Sequence, residues 1–455
     1  MQGESWDSLY LTAFLSGLHA LLYVSLLIAT LRPAFTLFHL FLAAQTIAFV
    51  LRPFLSVFEG GFSLYGGSWE LYNQGLLLNL LANGIVGIGY LIAYTRSPLK
   101  SGVPLRWSKN TLARGTWLSF ILALGALTLI HLFSGGAWLP TARNATITQV
   151  VPFGKILFPL AVIPFSFSLT SGMLLFYLSL RQGGKPLWQR WFPSSTYLLI
   201  SLASAVFLTL LYQRGFILSS ILVLFFLLSR LNGWGYLRLA FVALFSLLLL
   251  TQLRPLATRI ANALSGESQA IVQVDQPPFL QRYFLYSPNF DTADVWPVAL
   301  SYVEQNGHLG GSTLLRIPMR FLPPATRLDW DFLTAVDVLN AYHWGDTYWE
   351  KSFGFNVTLT QEVYLNFGPA GLSLLLLSGV VGSWLDRKIW AISVITPTRL
   401  YALFAAFFTG IPVGELGGIL QWALAYLIYG LALGTLASIR VKRRRDTPPL
   451  PHHPR

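Results

Sequence analysis

The chain has no cysteine among its 455 residues, so disulfides and thiolate metal ligands are excluded from any account of it. Charge is scarce as well: 11% of residues carry one, against about a quarter in a typical soluble domain. Acids are the rarer sign, 18 against 31 lysines and arginines, which leaves a net charge of +13. Apolar side chains fill the gap, with 54% hydrophobic residues and a mean hydropathy of +0.57. That balance excludes a soluble globular domain. Apolar runs near bilayer-spanning length recur along most of the chain. Many of the basic residues lie in short loops between those runs, so membrane topology accounts for the positive charge and nucleic acid need not be invoked.

The runs predict an all-α polytopic membrane protein of about eleven transmembrane helices. They fall roughly at 9–31, 34–51, 75–95, 116–134, 156–180, 194–212, 216–229, 236–251, 367–385, 398–413 and 416–438. The first run lacks a basic start and a small-residue cleavage site, so it reads as a span and not as a signal peptide. The tail Arg440-Val441-Lys442-Arg443-Arg444-Arg445 is the strongest inside signal. Counting back from it puts the loops carrying Arg387, Arg230, Arg181 and Arg96 on the cytoplasmic face and the N-terminus outside. The expected layout is an N-terminal bundle over 1–251 (about eight spans), a large periplasmic loop domain over 252–366, three C-terminal spans over 367–438 and a basic cytoplasmic tail over 439–455.

The stretch from Thr251 to Phe367 is the one long polar passage, and it holds eleven of the 18 acids. Nine of the basic residues expected outside are arginines: Arg52, Arg143, Arg214, Arg254, Arg259, Arg282, Arg316, Arg320 and Arg327. A planar guanidinium fork suits phosphate and pyrophosphate oxygens. The same arginines can equally pair with the acids of the loop.

Arg214 is the sharpest single signal. It precedes an apolar run, Phe216 to Leu228, that spans roughly 20 Å as a helix, short of a hydrocarbon core of about 30 Å. That places it below the outer interface, where a charge is costly and usually functional, unless it snorkels outward from a short hairpin. Arg316 and Arg320 flank Pro318, which predicts a bent, rigid segment in preference to a helix, with both arginines in reach of one phosphate. The rival reading is a corner packed on the bundle. Glu362, on the approach to an apolar run, suits a general base beside apolar surface or a first-turn helix acid. Asp337, His343, Asp346 and Glu350 are rival bases in an aromatic stretch whose faces suit sugar rings or the headgroup belt. Asp329 and Asp331 read as solvated charges before they read as metal ligands. Glu59, Glu70 and Glu415 have no assigned role.

The layout resembles the Wzy-type polymerases of bacterial O-antigens and related surface polysaccharides. The resemblance rests on the many-span bundle with one late outer loop, on Gln213-Arg214-Gly215 opening a mid-chain span, on Arg316 to Pro323, and on Gln361-Glu362-Val363-Tyr364-Leu365-Asn366-Phe367-Gly368 leading into Gly371. It implies a membrane glycosyltransferase C-like fold in the bacterial inner membrane, active at the periplasmic face. The implied reaction moves a growing glycan from undecaprenyl pyrophosphate to a new lipid-linked repeat unit. Arg214, Arg316, Arg320 and Arg52 are then expected to hold pyrophosphate, and Glu362, with His343 and Asp337 as rivals, to handle the acceptor hydroxyl. Neither cofactor nor metal is expected. Expected partners are the lipid-linked glycan substrates, membrane lipid, and a chain-length regulator and flippase of the same pathway. The nearest rival is an O-antigen ligase of similar topology. A transporter or flippase is the rival from another class, and the long outer loop argues against it.

Overall fold

The computed structural model describes residues 6–30, 36–61, 63–96, 105–134, 154–181, 187–211, 213–232, 291–319, 333–351, 354–410 and 416–439. Helices dominate: α1 (Trp6–Thr30), α2 (Leu37–Thr46) running through a π turn (Ile47–Leu51) into α3 (Arg52–Phe58), α4 (Trp69–Arg96), α5 (Lys109–Phe133), α6 (Gly154–Arg181), α7 (Leu187–Leu210) and α8 (Arg214–Asn232). After Asp291 come α9 (Trp296–Asn306), α10 (Ser312–Met319), α11 (Ala335–Trp344), α12 (Asp346–Lys351), α13 (Leu359–Gly371), α14 (Leu375–Trp390), α15 (Pro397–Gly410) and α16 (Leu416–Ser438). Among the described residues, seven segments are long and apolar enough to cross a membrane, and Ser194–Leu210 and Gly215–Leu231 are shorter apolar helices. Helices suit hydrocarbon because every internal backbone N–H and C=O is bonded within the segment. The expected span at 236–251 lies outside the described residues.

Side-chain pairs fix the first half of the bundle. Thr12 donates to Asn73 (2.7 Å) and Asn83 donates to Tyr23 (2.8 Å), so α1 and α4 run parallel. The α2–α3 segment returns between them, with Gln45 accepting from Asn83 at 3.1 Å. One end of this bundle is capped by α9, α11 and α13, whose core includes Trp296, Leu339 and Val363 packed with Leu76 and Phe49. Gly75 makes that docking possible, since a Cβ there would lie 2.2 Å from the Trp296 Cβ. We call this the capped end.

The second half packs α5 on α6, α6 on α7 and α15 on α16 around a separate apolar core that includes Phe165, Leu175, Leu227 and Phe404. Hydroxyl pairs cross its helices: Ser119 with Tyr401 at 2.9 Å, Ser166 with Tyr426 at 2.7 Å, and Thr116 with Ser171 at 2.8 Å. Such bonds contribute about 1 kcal/mol each inside a membrane bundle. At the far end, Arg106–Trp107 pairs in parallel with Val394–Ile395. There Asp386 accepts the Leu37 N–H at 2.7 Å and the Tyr90 hydroxyl at 2.8 Å, so a carboxylate from α14 caps the start of α2.

Three expectations need correction. The segment expected from 367 is preceded by a further helical stretch that begins at Leu359, because Thr358 and Gln361 form a capping box, and Glu362 therefore lies in its first turn. That helix kinks at Gly368, which has φ +67°, with Pro369 next. Pro318 does not prevent a helix: α10 runs to Met319, and the proline sits in its last turn, where its missing N–H costs one backbone hydrogen bond. Finally, α8 has 19 residues, about 28 Å, so the short apolar run understated the helix that follows Arg214.

Candidate functional site

Glu362 is at the centre of the capped end. Its side chain is 2% exposed, and its two oxygens accept from different elements: Oε1 from the Thr313 hydroxyl of α10 at 3.2 Å, and Oε2 from the Leu416 N–H at 2.6 Å. The second bond satisfies one of the orphan amides that begin α16, where a negative charge is also favoured by the helix dipole. Asn366, one turn on, donates to the Thr313 hydroxyl and to the Glu362 carbonyl, both at 2.7 Å. α10 is thus tied to α13 by side chains, and the Gly310 N–H adds a bond to the Asn366 carbonyl at 3.0 Å.

Two of the arginines expected to bind pyrophosphate begin or sit on elements at this junction. Arg316 follows Thr313 by one turn of α10. Arg214 opens α8, and Phe216 two residues later packs edge-on against Trp422 of α16 with ring centroids 4.8 Å apart. The side chains of Arg214, Arg316 and Arg320 lie outside the described residues, as do Asp329, Asp331 and the side chain of Glu350.

Arg52 is placed differently from the expectation of a ligand-facing cation. It is fully buried and forms a two-point pair with Asp294, Nε to Oδ1 at 3.0 Å and Nη2 to Oδ2 at 2.8 Å. Asp294 also accepts the Leu64 N–H at 2.7 Å. Gln361, next to Glu362, donates to the Thr292 carbonyl at 2.8 Å and so joins this ion pair to the Glu362 junction.

The other two candidate bases have structural partners. Asp337 closes a capping box with Thr334 and accepts the Tyr348 hydroxyl at 2.8 Å. His343 is half-buried among Tyr65, Trp344 and Phe355, and burial pushes its pKa below the ordinary value. Tyr65 in turn donates its hydroxyl to Asp291. Burial pushes Asp291 up to about 7, although the Tyr65 hydroxyl and the Arg52 charge pull it back. Burial and the Asp291 charge both push Tyr65 up. Asp346 is exposed.

Sequence reasoning missed Asp291, Asp294, Thr313 and Asn366. Two acids three apart beside an apolar helix were a legible signal for the first pair. The Thr313 and Asn366 roles depend on contacts about fifty residues distant and had no local signature. No family model, curated protein or solved structure matches the chain.

Proposed function

We propose that the chain is a polymerase that joins undecaprenyl-pyrophosphate-linked oligosaccharide repeat units into a surface polysaccharide at the periplasmic face of a bacterial inner membrane. The observation that carries this reading is the Glu362 junction. A buried carboxylate ties the loop helix bearing Arg316 to the N-terminus of the last helix, and the helix that opens with Arg214 packs beside that last helix. An anionic lipid headgroup calls for cations at the membrane end of a helical bundle, next to a group that can accept a hydroxyl proton.

In this reading a hydroxyl of the acceptor repeat unit attacks the anomeric carbon of the donor glycan. The carbon–oxygen bond to pyrophosphate breaks, and the electron pair leaves with the lipid pyrophosphate. Arg214, Arg316 and Arg320 stabilise the charge that develops there. Glu362 orients the hydroxyl and accepts its proton. Arg52 acts at a distance: its bond to Asp294 seats α9 on the bundle, and Gln361 passes that placement to Glu362.

Deleting the gene in its source organism and running the surface polysaccharide on a gel tests the proposal. Loss of the ladder, with a single repeat unit still attached, is the expected result, and Arg214→Ala and Glu362→Ala are expected not to restore it. Finished polymer accumulating on the lipid carrier would identify a ligase instead. Loss of every band, without such accumulation, would favour a flippase. An unchanged ladder would overturn all three readings.

A further inference from the structure

The seam between α1, α2–α3 and α4 contains buried polar atoms that no protein group satisfies. His19 Nε2, Asn79 Nδ2 and Asn83 Oδ1 have no hydrogen-bond partner, and these residues are 0%, 1% and 1% exposed. Buried polar groups are nearly always paired, with ordered water when protein does not serve.

The three residues lie within one helical turn of one another on the facing sides of the seam. Tyr23 and Asn83 are bonded across the parallel helices α1 and α4. One turn back on each helix lie His19 and Asn79, at the i−4 positions of the same faces. The returning helix supplies Gln45 to the Tyr23–Asn83 layer, where its amide oxygen accepts from Asn83. One turn on, it supplies Phe49 to the next layer, stacked on the His19 ring at 5.8 Å. The first layer leaves Asn83 Oδ1 over, and in the second Phe49 covers the face of the imidazole, so the in-plane Nε2 lone pair has no partner from that helix.

The chemistry of the free atoms selects the ligand. His19 Nδ1 is 2.9 Å from the Leu15 carbonyl, which can only accept, so Nδ1 carries the proton and Nε2 presents a lone pair. Asn83 spends its amide hydrogens on Tyr23 and Gln45, leaving Oδ1 as an acceptor. Asn79 offers N–H donors. A cation would need acceptors alone, whereas a mixed set of donors and acceptors fits a small neutral molecule that does both. We infer that the space between the Tyr23–Asn83 layer and the His19–Asn79 layer is an internal binding site for water, held in the middle of the bundle. Towards the far end, the seam is closed by Leu26, Phe38, Phe41 and Leu42, an apolar cluster that isolates the site on that side.

Radiolytic footprinting of the purified full-length protein in detergent tests this, because hydroxyl radicals formed from bound water oxidise the side chains that hold it. Oxidation of buried His19 is expected, and its loss in Asn79→Leu. The same variant should melt at a lower temperature, since His19 and Asn83 lose their bridge. An unlabelled His19 in the parent protein would overturn the inference without any variant. So would an Asn79→Leu protein that melts higher, as expected if the amide were an unsatisfied group in a dry core.

Discussion

Arg52 and Asp294 lie 242 residues apart in sequence and meet in a fully buried two-point ion pair, 2.8 Å at its shorter contact. The pair joins the first hairpin of the bundle to the polar segment that caps it. A buried pair of this kind is weak evidence of net stabilisation, but removing one partner leaves the other charge stranded.

Arg52→Ala is therefore expected to cost about 3–5 kcal/mol, and Asp294→Ala a comparable amount. The double variant should cost less than the sum of the two. Melting temperatures of the four proteins in one detergent check this, and additive losses would show that the pair does not act as a unit.

Glu362→Gln keeps the size and one oxygen acceptor of Glu362 but loses its charge. The ladder is expected to disappear with little change in melting temperature. Glu362→Ala should lose the ladder and also stability, by about 1–3 kcal/mol, because the Leu416 amide is left unsatisfied. A Gln variant that still polymerises would reduce Glu362 to an anchor for α16.

Stability should depend on pH through Asp291, whose pKa rises from an ordinary 3.8 to about 7 in the folded protein. Between those values the folded state binds more protons than the unfolded one. Stability is therefore expected to fall as pH rises from about 4 to about 7 and to be flat above. Melting curves across that range check it, and Asp291→Asn should flatten the slope.

Gly368 adopts φ +67° and ψ −160°, and a Cβ there would lie 2.8 Å from the His308 ring. Gly368→Ala should cost about 1–3 kcal/mol through backbone strain alone. Thermal unfolding measures the loss, and an unchanged melting temperature would mean that the kink within α13 is not held there.

The absence of cysteine makes the orientation testable with single-cysteine variants. Asp346 and Arg399 are both exposed, the first at the capped end and the second near the far end. A membrane-impermeant maleimide applied to intact spheroplasts should label Asp346→Cys and leave Arg399→Cys unlabelled until the cells are opened. The reverse pattern would invert the topology.

Much of the fold was legible in the sequence because hydropathy is local. A run of twenty apolar residues declares a helix without reference to anything distant, and the helices of the bundle fall close to the expected positions. The start of α13 was also legible, in the Thr358–Gln361 capping box, although the apolar run alone marked only the segment after the Gly368 kink. Asp386 carried a signal as well, as an acid at the edge of an apolar segment, but only its contact with the Leu37 amide shows what it does.

Composition and periodicity determined that this is a helical membrane protein with one long polar segment. They also marked Glu362 as an acid beside apolar surface. Tertiary structure alone decided which charges serve as scaffold and which surround a junction. Arg52 looked as available as Arg214, but folding buries it against Asp294, and Asp337 is taken up by a helix cap. The polar layer at His19 could not be read from α1 at all, because its character depends on Phe49 arriving from one neighbour and Asn79 from another. Pairings across hundreds of residues leave no periodic trace, since the energy that fixes them exists only once the helices have packed.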